Sequence, residues 1–565
     1  MSQATTPTPS SGTRSWAAWA RRIGIGSIGV VALATAGARG VGFLRWLAQG
    51  AFVGSGAEAG AYASANQIPN IVFEIVVGGA LAGITVPLLS AAIVHRTRRD
   101  VEHLASALLT WVVGILSIVA IVVFLNVDTI ADLIPVPQAA DDASQHLLIT
   151  TFLSVFAWQI PLYGVTLVLT GILQSHGKFL ASALAPLWSS LIAIATYALY
   201  GAVNSGTLDT QQAVLILAWG TTAAVAVMAL SLVVPVWRLG IRLRPAWWMS
   251  GEDVRRAAAL GAAGVIGLIA QQLAVIVNLY LMRSWGAEGT VAIFQYVQAV
   301  YWLPYGILAF PVATVAFPRL SACAHANSLD AFRDTAARAA AALITVSIIG
   351  VGLLIAMAPV AEAFFSLLTP VGNMAIALLC IAPALVGYGL LFFGQRVLYA
   401  INAARSAWRG AALAWCTVAG CAWTIMTVCA VRGDGDRTLA MIATSHSVGM
   451  SVGGIAMLIA IRRHAGNAAL AGVGRAALST LAVIAVPTGL AWLVTSTICR
   501  WGNEVMHPLV ATIVAAIIGL AILAIALIGA YRYTPWGAIL RSQRKFGSSP
   551  REEEAANATE RKAQS

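Results

Sequence analysis

Seven side chains set inside long apolar stretches carry most of the chemistry this sequence offers: Arg39, Arg45, Asn66, Gln67, Asn70, Glu74 and Arg396. An ionisable group within a membrane span costs about 2.5–3.5 kcal/mol on insertion scales, so each charge there is a candidate for function. Arg39, Gly42 and Arg45 follow at i, i+3 and i+6, which sets two guanidiniums about 120° apart on a helix with a glycine between them. A cavity wall built this way would hold an anionic group such as a pyrophosphate by bidentate contacts, a geometry that lysine does not reproduce. The structural alternative is that both arginines snorkel to the membrane surface or neutralise Glu74. Asn66, Gln67 and Asn70 bracket Pro69, which removes a backbone donor and is expected to kink its helix and free a carbonyl beside the amides. These amides either line a polar path or bond between helices. Gln271, Gln272, Asn278, Gln295 and Gln298 offer the same two readings further along the chain.

Other chemistries find little support. The six cysteines are scattered without a CxxC pair, so neither a disulfide framework nor a metal site is indicated, and they read as small apolar residues. The eight histidines are equally dispersed and form no ligand spacing. With no catalytic dyad, phosphate loop or metal motif, an enzyme is not expected, nor is a metal.

The elements that position these side chains follow from composition. Hydrophobic residues make up 59% and charged residues 10%, with mean hydropathy +0.82, so the bilayer is this chain's solvent. A spanning helix needs about 20 mostly apolar residues, and such runs recur at 24–54, 58–94, 104–127, 146–175, 179–203, 212–237, 256–282, 290–322, 334–358, 373–402, 407–431, 438–461, 474–498 and 508–531. The expectation is an all-α polytopic membrane protein of about 14 transmembrane helices. Arg21 and Arg22 before an apolar run, with Ala34-Thr35-Ala36 behind, imitate a signal peptide, but the run continues to Val53 and reads as a long first span.

The net charge of +12 comes from arginines placed in loops, where they face anionic headgroups rather than nucleic acid. With the N-terminus in the cytoplasm, 27 of the 34 basic residues fall on the inner side and 4, Arg283, Arg432, Arg437 and Arg500, on the outer. That asymmetry predicts both termini cytoplasmic. The tails, 1–22 and 536–565, are polar or charged and expected to be disordered. Trp247 and Trp248 beside Arg244 mark a link in the headgroup layer.

An internal repeat divides the spans. Gly56-Ala57-Glu58 through Val86-Pro87-Leu88-Leu89-Ser90-Ala91 is echoed by Gly286-Ala287-Glu288 through Phe317-Pro318-Arg319-Leu320-Ser321-Ala322, an offset near 230 residues. Two six-helix lobes result, residues 23–240 and 241–465, with two further helices in 466–535, the arrangement by which many transporters surround a substrate.

The same residues resemble a family. Arg39-Gly40-Val41-Gly42-Phe43-Leu44-Arg45, Gln67-Ile68-Pro69-Asn70 and Val86-Pro87-Leu88-Leu89 are similar, in order and spacing, to the opening signatures of the MurJ/MviN lipid II flippases. Leu303-Pro304-Tyr305-Gly306-Ile307 and Pro318-Arg319-Leu320-Ser321 resemble the matching helix of the second half, and Gln395-Arg396-Val397-Leu398-Tyr399-Ala400 looks like the actinobacterial branch. The resemblance implies a central cationic cavity with Arg39, Arg45, Asn66, Gln67, Asn70 and Arg396 binding substrate, and a groove in 466–535 for the lipid tail. It implies transfer of undecaprenyl-pyrophosphate-linked peptidoglycan precursor from inner to outer leaflet of the cell membrane by alternating access. No cofactor is implied beyond a membrane potential or ion gradient, and the implied partners are lipid II or a related polyprenyl-pyrophosphate-linked glycan, anionic lipids, and cell wall synthesis or division proteins around a monomer. Gly60, Phe73 and Ala299 depart from the family, which places an acid or arginines there. A polysaccharide-lipid or drug/cation antiporter of the same superfamily, or a non-transporting scaffold, is the alternative.

Overall fold

A computed structural model describes residues 27–75, 82–95, 97–138, 140–204, 210–248, 251–326, 328–429 and 431–533; the two tails, 1–22 and 536–565, lie outside them. The described residues form helices and no strand. The first are α1 (Ser27–Phe52), α2 (Ala57–Phe73), α3 (Ala82–His95), α4 (Arg98–Leu125), α5 (Val127–Asp132), α6 (Asp142–Phe156) and α7 (Gln159–Ser175). Then come α8 (Phe179–Asn204), α9 (Thr210–Arg238), α10 (Gly251–Trp285), α11 (Thr290–Pro304), α12 (Phe310–His325) and α13 (Leu329–Ser366). The last are α14 (Met374–Ile381), α15 (Ala384–Ala400), α16 (Ala404–Cys429), α17 (Gly435–Ala465), α18 (Val473–Val505) and α19 (Pro508–Tyr533).

Eleven helical stretches are long and apolar enough to cross a bilayer, and α14 with α15, bent by 41°, makes a twelfth. In order these follow the third to the fourteenth expected spans. The first two, 24–54 and 58–94, include residues outside those described. The protein is a multi-pass membrane protein. Backbone donors in a bilayer have no water to turn to, so helices are the form apolar runs of this length must take.

The described residues divide into two compact units. One takes those within Met1–Phe52, Val76–Leu125 and Ser154–Leu260, and the other those within Val53–Ile75, Asn126–Leu153 and Gly261–Ser565. The units therefore alternate along the chain. In the first, α1 packs along α8, α8 along α9, and α4 along α7. In the second, α16 packs along α17, α13 along α18, α15 along α17 and α18 along α19.

The two repeat helices share an irregularity. Helix α2 runs straight through Pro69 rather than breaking there, and turns to π geometry only at Glu74–Ile75. Helix α11 passes into a π-helical turn, Tyr305–Ala309, directly after Pro304. An offset of 230 residues sets Ile75 on Tyr305. A π turn inside a membrane helix leaves carbonyls without their usual partners and frequently marks a functional position.

Candidate functional site

Arg39 and Arg45 stand on α1 in the first unit; Arg39 is exposed and Arg45 half-buried. The Arg45 guanidinium lies 4.5 Å from the ring centroid of its neighbour Trp46 and donates a long hydrogen bond, 3.4 Å, to the Tyr197 hydroxyl on α8. Tyr197 in turn donates to Gln49 Oε1 at 3.4 Å. Aromatic stacking and an oriented hydroxyl hold the cation inside the bundle by contacts worth about 1 kcal/mol each, weak enough to give way to a better anion.

The other four predicted residues belong to the second unit. There α2 and α11 approach each other in two different ways. At their N-terminal ends the contact is backbone to backbone: a Cβ at Gly60 would run into the Glu288 carbonyl oxygen, and one at Gly289 into the Ser55 carbonyl oxygen. Tyr296 on α11 donates to the Gly54 carbonyl at 2.6 Å, and the Ser55 and Thr369 hydroxyls pair at 2.8 Å. Further along the same helices a cavity of about 50 Å³ opens, lined by Gln67 of α2, Asn278 of α10, Gln295 and Gln298 of α11, and His446 of α17 among apolar neighbours. The structure therefore brings Gln67 together with three of the later amides. Asn66, Asn70 and Arg396 do not join that lining. Asn66 keeps a buried Oδ1 with no hydrogen-bond partner.

Arg396, on α15, is half-buried, with its guanidinium 3.6 Å from the Phe392 ring centroid. It interacts electrostatically with Tyr305 and Tyr388. Tyr305, Tyr388 and Trp302 meet edge to face, with Tyr388 5.0 Å from each of the other two rings. The π turn that starts at Tyr305 thus delivers its first side chain beside a membrane arginine.

Arg283 corrects a sequence expectation. Its place among the outer loop charges gives way to the last turn of α10, where it is fully buried. Its Nε donates to the Pro135 carbonyl at 2.9 Å and its Nη2 to Gln145 Oε1 at 3.0 Å, tying the 126–153 segment to α10. Loop counting assigns charge by position in the chain and does not see a helix that extends past the apolar run.

Comparison with known proteins adds what geometry alone leaves open. The sequence profile described as "Lipid II flippase MurJ" matches residues 50–540. This chain belongs to that family. Probable lipid II flippases MurJ of Rhizobium meliloti and Rhizobium tropici are 27% and 25% identical to it, over 53% and 51% of this chain and 55% and 53% of theirs. The chain spans about half the length of the curated relatives it matches. Among solved structures, "Lipid II flippase MurJ, inward closed conformation" superposes with TM-score 0.66 at 17% identity, covering 88% of this chain and 99% of that one. An inward-facing multidrug resistance MATE transporter follows the same fold at TM-score 0.60, 17% identity, and 75% and 95% coverage.

Within the MurJ family, the departures at Gly60 and Ala299 have a steric cause here. No side chain fits at Gly60 against the Glu288 carbonyl, and Ala299 is buried on α11. Phe73 is half-buried on the last turn of α2. The residue the sequence reading passed over is His446, judged there only for metal spacing. Its signal was present all the same: an ionisable side chain in the middle of an apolar span.

Proposed function

We propose that this protein flips a polyprenyl-pyrophosphate-linked peptidoglycan precursor, lipid II or a close relative, from the inner to the outer leaflet of the cell membrane. The family match over residues 50–540 is the observation that carries this reading. Arg39 and Arg45 supply the cationic face for the pyrophosphate, and Asn66, Gln67, Asn70 and Arg396 supply polar contacts along the path. The working arrangement is the repeat-based one: lobes 23–240 and 241–465 alternate access, 466–535 cradles the lipid tail, and both termini are cytoplasmic. The chain acts as a monomer among anionic lipids and hands its product to cell wall synthesis or division proteins. A membrane potential or ion gradient drives the cycle.

Depleting the protein tests the reading. Lipid-linked disaccharide-peptide is expected to accumulate on the inner leaflet; normal wall synthesis without accumulation overturns it. Arg39→Ala and Arg45→Ala are each expected to abolish complementation while expression and insertion stay normal. Full activity in both variants returns these arginines to a structural role.

A further inference from the structure

His446 lies near the middle of α17, 8% exposed. Its Nδ1 sits 3.1 Å from the Ile442 carbonyl, a geometry in which Nδ1 carries the proton and donates it. That fixes the tautomer and leaves Nε2 as a lone pair. The ring is seated between Phe294 of α11 and Trp415 of α16, centroids 5.6 and 6.3 Å away, and forms part of the wall of the amide cavity. Across that cavity stands Asn278, 4% exposed, whose Oδ1 has no hydrogen-bond partner. A buried acceptor left in this condition costs about 1–3 kcal/mol. The volume, about 50 Å³, is enough for a water or a few and too small for a sugar or a phosphate.

Two acceptors, Asn278 Oδ1 and His446 Nε2, thus border one small polar cavity, and the remaining lining amides of Gln67, Gln295 and Gln298 carry no charge. The charged side chains of the surrounding helices, among them Glu58 and Glu74 on α2, Arg283 on α10, Arg396 on α15 and Arg409 on α16, are not in its lining, and neither are Tyr296 and Tyr301 of α11. What this arrangement lacks is a proton donor. We propose that the cavity is a proton-binding site, with Nε2 of His446 as the atom that takes the proton and Asn278 Oδ1 as the acceptor that stabilises the imidazolium through water. The proton arrives from bulk solvent on a water and leaves the same way; Nδ1–H keeps its bond to Ile442, and no electrons move. Protonation turns an acceptor into a donor, so the four helices that meet here, α2, α10, α11 and α17, are linked in one protonation state by a hydrogen-bond chain that the other state lacks. Histidines placed within membrane spans serve proton relays for this reason.

The site extends beyond the flippase reading, and its first test does not depend on it. Full-length protein in lipid nanodiscs, with ring-¹⁵N histidine, gives a signal for His446 identified by its loss in His446→Gln. The Nε2 resonance is expected to pass from the unprotonated to the protonated position within about pH 5–8, and the midpoint to move to lower pH in Asn278→Leu. A ring that stays neutral across the range overturns the proposal, and so does a signal that answers Na⁺ at fixed pH instead of pH. In proteoliposomes the wild-type flipping rate is expected to follow the same titration and the His446→Gln rate to be flat; identical profiles overturn the coupling. Absence of any flipping by wild type counts against the flippase reading and leaves the ring titration standing.

Discussion

Helices α2 and α11 meet twice within the second unit, and the two meetings differ in kind. At Gly60 and Gly289 the backbones touch with no side chain between them, while at Gln67, Gln295 and Gln298 the same helices stand apart around a polar cavity. Close packing and a hollow on one helix pair have opposite physical demands. The first needs residues without a Cβ and satisfies its carbonyls by neighbouring hydroxyls such as Tyr296; the second needs long amides and leaves acceptors for a mobile partner. A helix pair built this way is closed and dry at one end and hydrated further in. That is the division of labour a carrier needs between a gate and a coupling site.

The largest effect is expected where closeness leaves no slack. Gly60→Ala places a methyl group against the Glu288 carbonyl, and because the obstacle is backbone it cannot swing aside. Overpacking of this sort costs about 1–3 kcal/mol, so the variant should melt well below wild type in detergent. The same substitution at Gly42, where a Cβ meets nothing within 4 Å, should leave melting unchanged and serves as the control. If Gly60→Ala melts like wild type, the tight end of the comparison is not tight.

Next comes Arg283, buried beside the closed end. Arg283→Met removes the donors to Pro135 and Gln145 and leaves the Gln145 carbonyl oxygen without its partner. Hydrogen bonds to a charged group contribute about 1.5–3 kcal/mol, against which the relief of burying one charge fewer must be set, so a net loss of about 1–2 kcal/mol is expected. Faster proteolysis or hydrogen exchange confined to the 126–153 segment would locate the loss. Unchanged protection there would mean that the staple holds nothing.

These two regions were unequally visible in the sequence. The spans could be read because a bilayer imposes composition and length, and the third to fourteenth runs reappear in order as helices. The repeat could be read because Gly-Ala-Glu and the later prolines keep their spacing. Gly60 was read as a missing charge, since a sequence states which side chain is present and not which backbone lies against it. Pro69 was expected to break α2, but the helix absorbs it and yields instead at Glu74–Ile75. The cavity was legible only in part: Gln67, Asn278, Gln295 and Gln298 stood out as amides in apolar runs, whereas His446 is brought beside them by folding from about 150 residues further along. No spacing rule reaches that far.

The smallest stability effect, and the most informative about the hollow end, is expected from Asn278→Leu. Leucine has nearly the volume of asparagine plus a methyl group, so it fits the site with little rearrangement, and it removes an acceptor that finds no protein partner. If water or a hydrated proton satisfies Oδ1, the variant loses that bond but also the cost of burying the group, and the two nearly cancel, leaving a change below about 1 kcal/mol. A loss of about 3 kcal/mol in thermal or chemical unfolding would instead show Asn278 bonded as firmly as any packed amide. The cavity would then be as dry as the Gly60 contact, and the contrast between the two meetings of α2 and α11 would collapse. A near-neutral stability together with a displaced His446 titration is the result that keeps the two regions distinct, because only a solvated site can transmit a change at α10 to an imidazole on α17 without disturbing the helices that carry them.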